Sequence, residues 1–101
     1  MAREVRQKVR INTLVVHPVT YALAASEGKV DIVEGPVITK PTITTGAGDH
    51  FNSGFCLGKL LGFSNEWSLL AGVTTSGFYV KTGQSPQIKD LAEMMCNWPA
   101  R

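Results

Sequence analysis

The stretch Thr44-Thr45-Gly46-Ala47-Gly48-Asp49-His50-Phe51 limits what this chain can fold into more than any other. Upstream of it the apolar residues are mostly β-branched and come in short runs. Downstream they are spread among small residues at helical spacing. Two glycines one residue apart, set between such regions, define a strand end, a tight turn and the first turn of a helix. Strands therefore come first and helices last, which gives an α/β or α+β architecture with an incomplete sheet. With 101 residues there is room for one domain and a lean core.

The elements on either side follow from local pattern. Residues 2–10 read as a short basic helix, with Val5 and Val9 on one apolar edge. Residues 13–17 are a compact apolar run ended by Pro18, the fully buried strand type common in parallel sheets. A second strand covers 21–26, a turn follows at Glu27-Gly28-Lys29, and 30–34 reads as a strand with one wet face. Gly35-Pro36 breaks that strand, and extended structure resumes toward Thr44. The helix opened by Gly46-Ala47-Gly48-Asp49 runs to about Leu61, with Gly62 at its C-terminal stop. Ser64 or Asn65 caps a helix over about 66–81, residues 82–86 turn, and a last helix spans 88–97.

Composition excludes several classes of function. Four of the ten basic residues are Arg3, Arg6, Lys8 and Arg10, but their neighbours are Val5, Gln7 and Val9. A nucleic-acid surface sets aromatic residues among its charges, so this is the solvated face of a helix and no nucleic-acid partner is expected. Cys56 and Cys96 are too few and too far apart for a disulfide framework or a metal cluster, which fits a reducing, cytoplasmic setting. The N-terminus lacks the apolar core of a signal peptide, and no apolar run approaches the roughly 20 residues that span a bilayer, so no membrane role is expected. A charged fraction of 18% is low for a small free-standing domain and implies that part of the surface is covered by something else.

The glycine turn carries the chemistry. Amides at a helix N-terminus lack intrahelical partners and hold partial positive charge, so they bind anions. Gly46 and Gly48 remove side chains that would keep a phosphate from the amides of Gly46, Ala47 and Gly48. Thr45 can cap the helix or donate its hydroxyl to the anion. Asp49, in the first helical turn, is favoured as a carboxylate beside that anion, which suits a base that receives a hydroxyl proton. A dinucleotide fingerprint is excluded because the third glycine is missing. Gly54-Phe55-Cys56-Leu57-Gly58-Lys59 is one residue short of a P-loop, Leu60 replaces its hydroxyl residue, and it lies inside a helix. Gly54, Gly58 and Gly62 recur at helical spacing and read as a close-packing face.

The full string resembles the C-terminal signature of the ribokinase-like (PfkB) family, Asp-Thr-Thr-Gly-Ala-Gly-Asp-x-Phe. Thr44 through Asp49 match its six central positions and Phe51 its end. The strands, the small-residue helices and the Gly83-Gln84 turn come in the family's order. The resemblance implies the C-terminal part of a three-layer α/β/α fold, with the sheet incomplete here and residues 1–101 forming a nucleotide-binding segment. It implies ATP-dependent phosphoryl transfer to a hydroxyl of a sugar or nucleoside, with Asp49 as base and the amides of Gly46, Ala47 and Gly48 as anion hole. Thr45 would border the nucleotide phosphates, and residues 72–76 would lie near the adenine. Mg²⁺ is implied as well, although the family's Asn-x-x-Glu motif for it does not occur in this sequence. A chain holding only this segment is expected at most to bind nucleotide or to associate with itself.

Departures from the signature carry expectations of their own. Ile43 stands where the family has an acidic residue that helps to hold a monovalent cation, so K⁺ activation is expected to be weak. His17-Pro18 replaces a glycine-containing turn, and His17 reads as a hydrogen-bonded core residue. His50 reads as a surface or nucleotide-edge residue. Trp67, Phe78 and Tyr79 read as packing residues, and Met94, Met95 and Trp98 as the docking face of the last helix.

Overall fold

The computed structural model describes residues 13–98 apart from Val19 and Glu27. The helix expected over 2–10 lies outside the described residues. Strands β1 (Thr13–Val16), β2 (Tyr21–Ser26) and β3 (Lys29–Glu34) form an antiparallel sheet in the order β1-β2-β3. Helices α1 (Ala47–Leu60), α2 (Asn65–Thr82) and α3 (Ile88–Cys96) follow.

The parallel-sheet reading of the first strand is corrected, because β1 runs antiparallel to β2. Parallel neighbours need a crossover of a dozen or more residues, and only residues 17–20 separate these two strands. Between β2 and β3, Ser26 pairs with Lys29, so the hairpin loop has two residues and Gly28 adopts φ 74° within it. Loops of that length require left-handed backbone, which glycine supplies without a Cβ clash.

This hairpin fixes the register, and the register decides which face is buried. Val15 pairs with Ala24 and Ala22 with Val33, placing all four on the face packed against Phe51, Leu69 and Val73. The opposite face of β3 carries Val30 and Ile32, the latter 62% exposed. The wet face expected for 30–34 thus sets the apolar Val30 and Ile32 beside Glu34. Asp31 points to the other side and pairs with Lys29 at 3.3 Å.

Each helix has a chemical stop or start. At the end of α1 the Gly62 amide donates to the Lys59 carbonyl (3.1 Å) and the Phe63 amide to the Gly58 carbonyl (2.9 Å), with Gly62 left-handed at φ 81°. This pair of bonds satisfies carbonyls that the helix leaves open. Ser64 rather than Asn65 caps α2, accepting from the Trp67 amide at 3.3 Å. Gln87 and Asp90 form a reciprocal capping box at the start of α3. Trp67 itself is 62% exposed and does not pack as expected, whereas Met94 is buried and Trp98 lies against the core.

Helix α2 is the centre of the arrangement. Ser68, Leu69 and residues 71–77 are all buried, between α1 on one side and β2 and β3 on the other. Close approach to α1 depends on small residues. A Cβ at Gly54 would lie 2.6 Å from the Ala71 carbonyl oxygen, and one at Gly58 would lie 2.9 Å from Ser68 Cα. Gly62, by contrast, has open space around it and serves only as the helix stop.

Candidate active site

Gly46, not Thr45, is the N-cap of α1, at φ 94° in the left-handed region, and no side chain caps the helix. Thr45 is exposed one residue outside. The Ala47 amide donates to the Thr44 carbonyl at 3.2 Å and the His50 amide to the Gly46 carbonyl at 3.1 Å. Between them, the amides of Gly48 and Asp49 have no hydrogen-bond partner among the described residues. They stand at the positive end of a 14-residue helix, the electrostatic setting that favours an anion.

The two glycines of the turn differ in kind. Gly46 is required by the fold, since its φ is left-handed and an added Cβ would lie 3.1 Å from the Tyr79 hydroxyl oxygen. Gly48 is not, since a Cβ there would meet nothing within 4 Å. A helical glycine costs about 1 kcal/mol relative to alanine. Nothing among the described residues accounts for that cost at Gly48.

Two hollows flank the turn. A cleft of about 470 Å³ is walled by Pro36, Val37, Ile38, Val73 and Val80, and its edge reaches Thr44, Ala47 and Gly48. Val73 and Ser76 of the segment expected near an adenine do line it. Gly72 does not, because it stands against the Phe51 ring, 2.7 Å from where its Cβ would be. Asp49, exposed in the first turn of α1, borders the second hollow with His50, Ser53 and Thr75.

His17 also lines the cleft, and its ring stacks on Phe51 with centroids 4.0 Å apart. It makes no hydrogen bond to a described residue, so it is held by stacking rather than by the polar contact expected. Burial lowers its pKa below the ordinary 6.5 by desolvating the charged ring. Above pH 6.5 the ring is neutral in both folded and unfolded chains and contributes no pH dependence. Below 6.5 the unfolded chain takes up the proton first, so stability is lost as pH falls toward the lowered folded-state value. A series of urea midpoints from pH 7.5 to 5.5 is expected to decline for the native protein and to flatten for His17→Phe. Equal slopes in the two would exclude His17 as the source.

The turn is gripped from behind by His50 and Tyr79, the second of which packs as expected, although against the turn itself. His50 Nδ1 lies 2.8 Å from the Gly46 carbonyl oxygen, and His50 Nε2 lies 2.8 Å from Ser85 Oγ. The imidazole stacks on Tyr79 at 3.8 Å, and the Tyr79 hydroxyl donates to the Thr45 carbonyl at 2.8 Å. The i,i+4 spacing of Gly46 and His50 on one helix was a usable signal for the first contact. Tyr79 lies 34 residues from Thr45, and no local pattern reports that contact. Ile43 is exposed, and the neighbouring Thr42 ties this segment to the end of α2 through bonds of 2.7 Å to the Val80 and Lys81 carbonyls.

No group of three or more His, Cys, Asp or Glu side chains gathers among the described residues. No described helix is long and apolar enough to cross a membrane.

Known proteins agree with this geometry in fold and in family. A carbohydrate kinase from Agrobacterium tumefaciens superposes with a TM-score of 0.73 at 20% identity, over 95% of this chain and 33% of that one. The arrangement of sheet, helices and glycine turn thus defines a segment of the PfkB type of sugar kinase. The family model for prokaryotic ketohexokinase matches residues 1–98, and the chain belongs to that family. A ketohexokinase from Haloferax volcanii is 33% identical over 75 residues, which make up 74% of this chain and 20% of that protein. The chain therefore spans about a fifth of the length of the curated relative and a third of the structural one.

Proposed function

We infer that this segment serves ATP-dependent phosphoryl transfer to a hydroxyl of a ketohexose. The nucleotide occupies the cleft, its base against the apolar wall of Val37, Val73 and Val80 and its phosphates at the turn. The open amides of Gly48 and Asp49, with that of Gly46, face the transferring group, while the Ala47 amide stays on the Thr44 carbonyl, and the Thr45 hydroxyl borders the phosphates. The Asp49 carboxylate takes the proton of the acceptor hydroxyl. The acceptor oxygen then bonds to the γ-phosphorus as the bond to the β–γ bridging oxygen breaks, releasing ADP. Fixed amide dipoles aimed at the group where charge shifts lower the barrier without reorganising during the reaction. The ketohexose is suggested by the names of the family and of the Haloferax relative.

Gly48 carries this reading. It is a glycine that no described residue requires to be one, beside amides with no partner among the described residues, at the edge of a cleft. Gly48→Val, made in a catalytically competent kinase carrying this segment, is expected to weaken ATP binding more than tenfold and to lower turnover with it. Gly48→Ala serves as a fold control, since its methyl group has nothing to strike. Unchanged ATP affinity in a folded Gly48→Val protein would show that the turn holds no phosphate.

A second reading, self-association of a non-catalytic chain, is favoured by the apolar outer face of β3, where Val30 and Ile32 are exposed.

A further inference from the structure

We propose that His50 and Tyr79 are positioning residues that lock the Gly46 turn in the orientation needed to present its amides. This rests on the reading of the turn as a phosphate cradle. The argument begins with peptide planarity. In a trans peptide the carbonyl and the following amide point in opposite directions, so fixing one fixes the other. The Tyr79 hydroxyl holds the Thr45 carbonyl at 2.8 Å and thereby turns the Gly46 amide away from Tyr79. His50 holds the Gly46 carbonyl at 2.8 Å, which sets the next peptide plane.

The hydrogen-bond roles are determined by chemistry. A carbonyl only accepts, so His50 Nδ1 carries a proton and donates to Gly46. In the neutral ring Nε2 then accepts from the Ser85 hydroxyl, which ties the turn to the loop ahead of α3. The two rings stack at 3.8 Å with an interplanar angle of 11°, so neither turns without displacing the other. The Tyr79 ring also fills the space beside Gly46 where a Cβ would sit. Without a side-chain cap, the left-handed turn is otherwise held by backbone bonds alone, from the His50 amide to the Gly46 carbonyl at 3.1 Å and from the Ala47 amide to the Thr44 carbonyl at 3.2 Å.

The test uses the 101-residue chain with ¹⁵N-labelled glycine, which gives ten reporters. Gly46 and Gly48 report on the turn, and Gly28 and Gly62 report on left-handed turns elsewhere. Inorganic triphosphate is the anion probe. Tyr79→Phe removes one hydroxyl and keeps the stack, and His50→Ala removes the ring at a helical position where alanine is favourable. Both are expected to increase fast backbone motion at Gly46, leave Gly28 and Gly62 unchanged, and weaken triphosphate binding by roughly three- to tenfold, the range for loss of one hydrogen bond. His50→Asn, whose side-chain amide nitrogen sits where Nδ1 does, is expected to recover most of the order at Gly46. An ordered Gly46 and undiminished triphosphate affinity in both Tyr79→Phe and His50→Ala would overturn the proposal while leaving the phosphate reading intact. Mobile glycines in the variants, with no triphosphate response at Gly46 or Gly48 in the native chain, would support the lock and sink the phosphate reading alone.

Discussion

Asp49→Asn, in a competent kinase carrying this segment, is expected to lower turnover by about 10²–10⁴-fold, the usual worth of a general base. ATP affinity should change by no more than a few fold. The substitution keeps the shape of the side chain and removes only its ability to take a proton. Its surroundings make the comparison clean, because Asp49 is exposed in the first turn of α1 and its own carbonyl, not its carboxylate, accepts from Ser53. Losing a negative charge near a helix N-terminus costs about 0.3–1 kcal/mol, small beside the catalytic loss. Measuring kcat together with the ATP dissociation constant separates the two effects. A variant retaining more than half of the native turnover would remove Asp49 from the role of base.

The largest expected effect on folding is at Gly54. A methyl group there would lie 2.5 Å from Thr75 Oγ1 and 2.6 Å from the Ala71 carbonyl oxygen. Those two atoms are already hydrogen-bonded to each other at 2.7 Å, so the threonine cannot swing aside without leaving its hydroxyl unpaired in a buried place. The carbonyl belongs to the backbone of α2 and moves only with the helix. Helix α1 would have to lift, loosening the contacts of Gly58 with Ser68 and of Phe51 with Gly72 along the same interface. Overpacking of this kind costs about 3 kcal/mol, the upper end of its usual range. For a domain of this size the loss corresponds to a fall in Tm on the order of 10–25 °C. Gly54→Ala compared with Gly48→Ala by thermal melting makes the test, because the second methyl meets nothing. A Gly54→Ala protein melting within 2 °C of the native one would show that the two helices are not held this closely.

What the sequence made legible was local, and what it hid was not. Strand β2, the helix opening at Gly46-Ala47-Gly48-Asp49 and the stop at Gly62 each depend on a few consecutive residues, and each was read within a residue or two. The direction of β1 was misjudged from composition, although the four-residue link to β2 already forbade a crossover. The facing of β3 was ambiguous because Ile32 and Val33 are both apolar; the two-residue hairpin settles it by pairing Val33 with Ala22 on the core side. Helix α2 shows no amphipathic stripe because it is buried almost all round by residues such as Ser68, Thr74 and Gly77, a pattern that periodicity does not reveal. At the site, the turn itself is contiguous and was found. The ring of Tyr79 over Gly46 and the stack of His17 on Phe51 join residues more than thirty positions apart, and only the fold brings them together.

The burial of α2 on both sides has a consequence for how the protein comes apart. Sheet and helical hairpin share one wall, and neither has a separate apolar core to retreat to. When the sheet opens, Val73 and Leu69 lose their cover; when α1 leaves, Gly72 and Thr75 do. Partial melting therefore strips the same helix from whichever side it begins, and no half of the molecule remains comfortable alone. Heat should take the described fold apart in one cooperative step, with the Gly46 turn disappearing at the same temperature as the β-sheet.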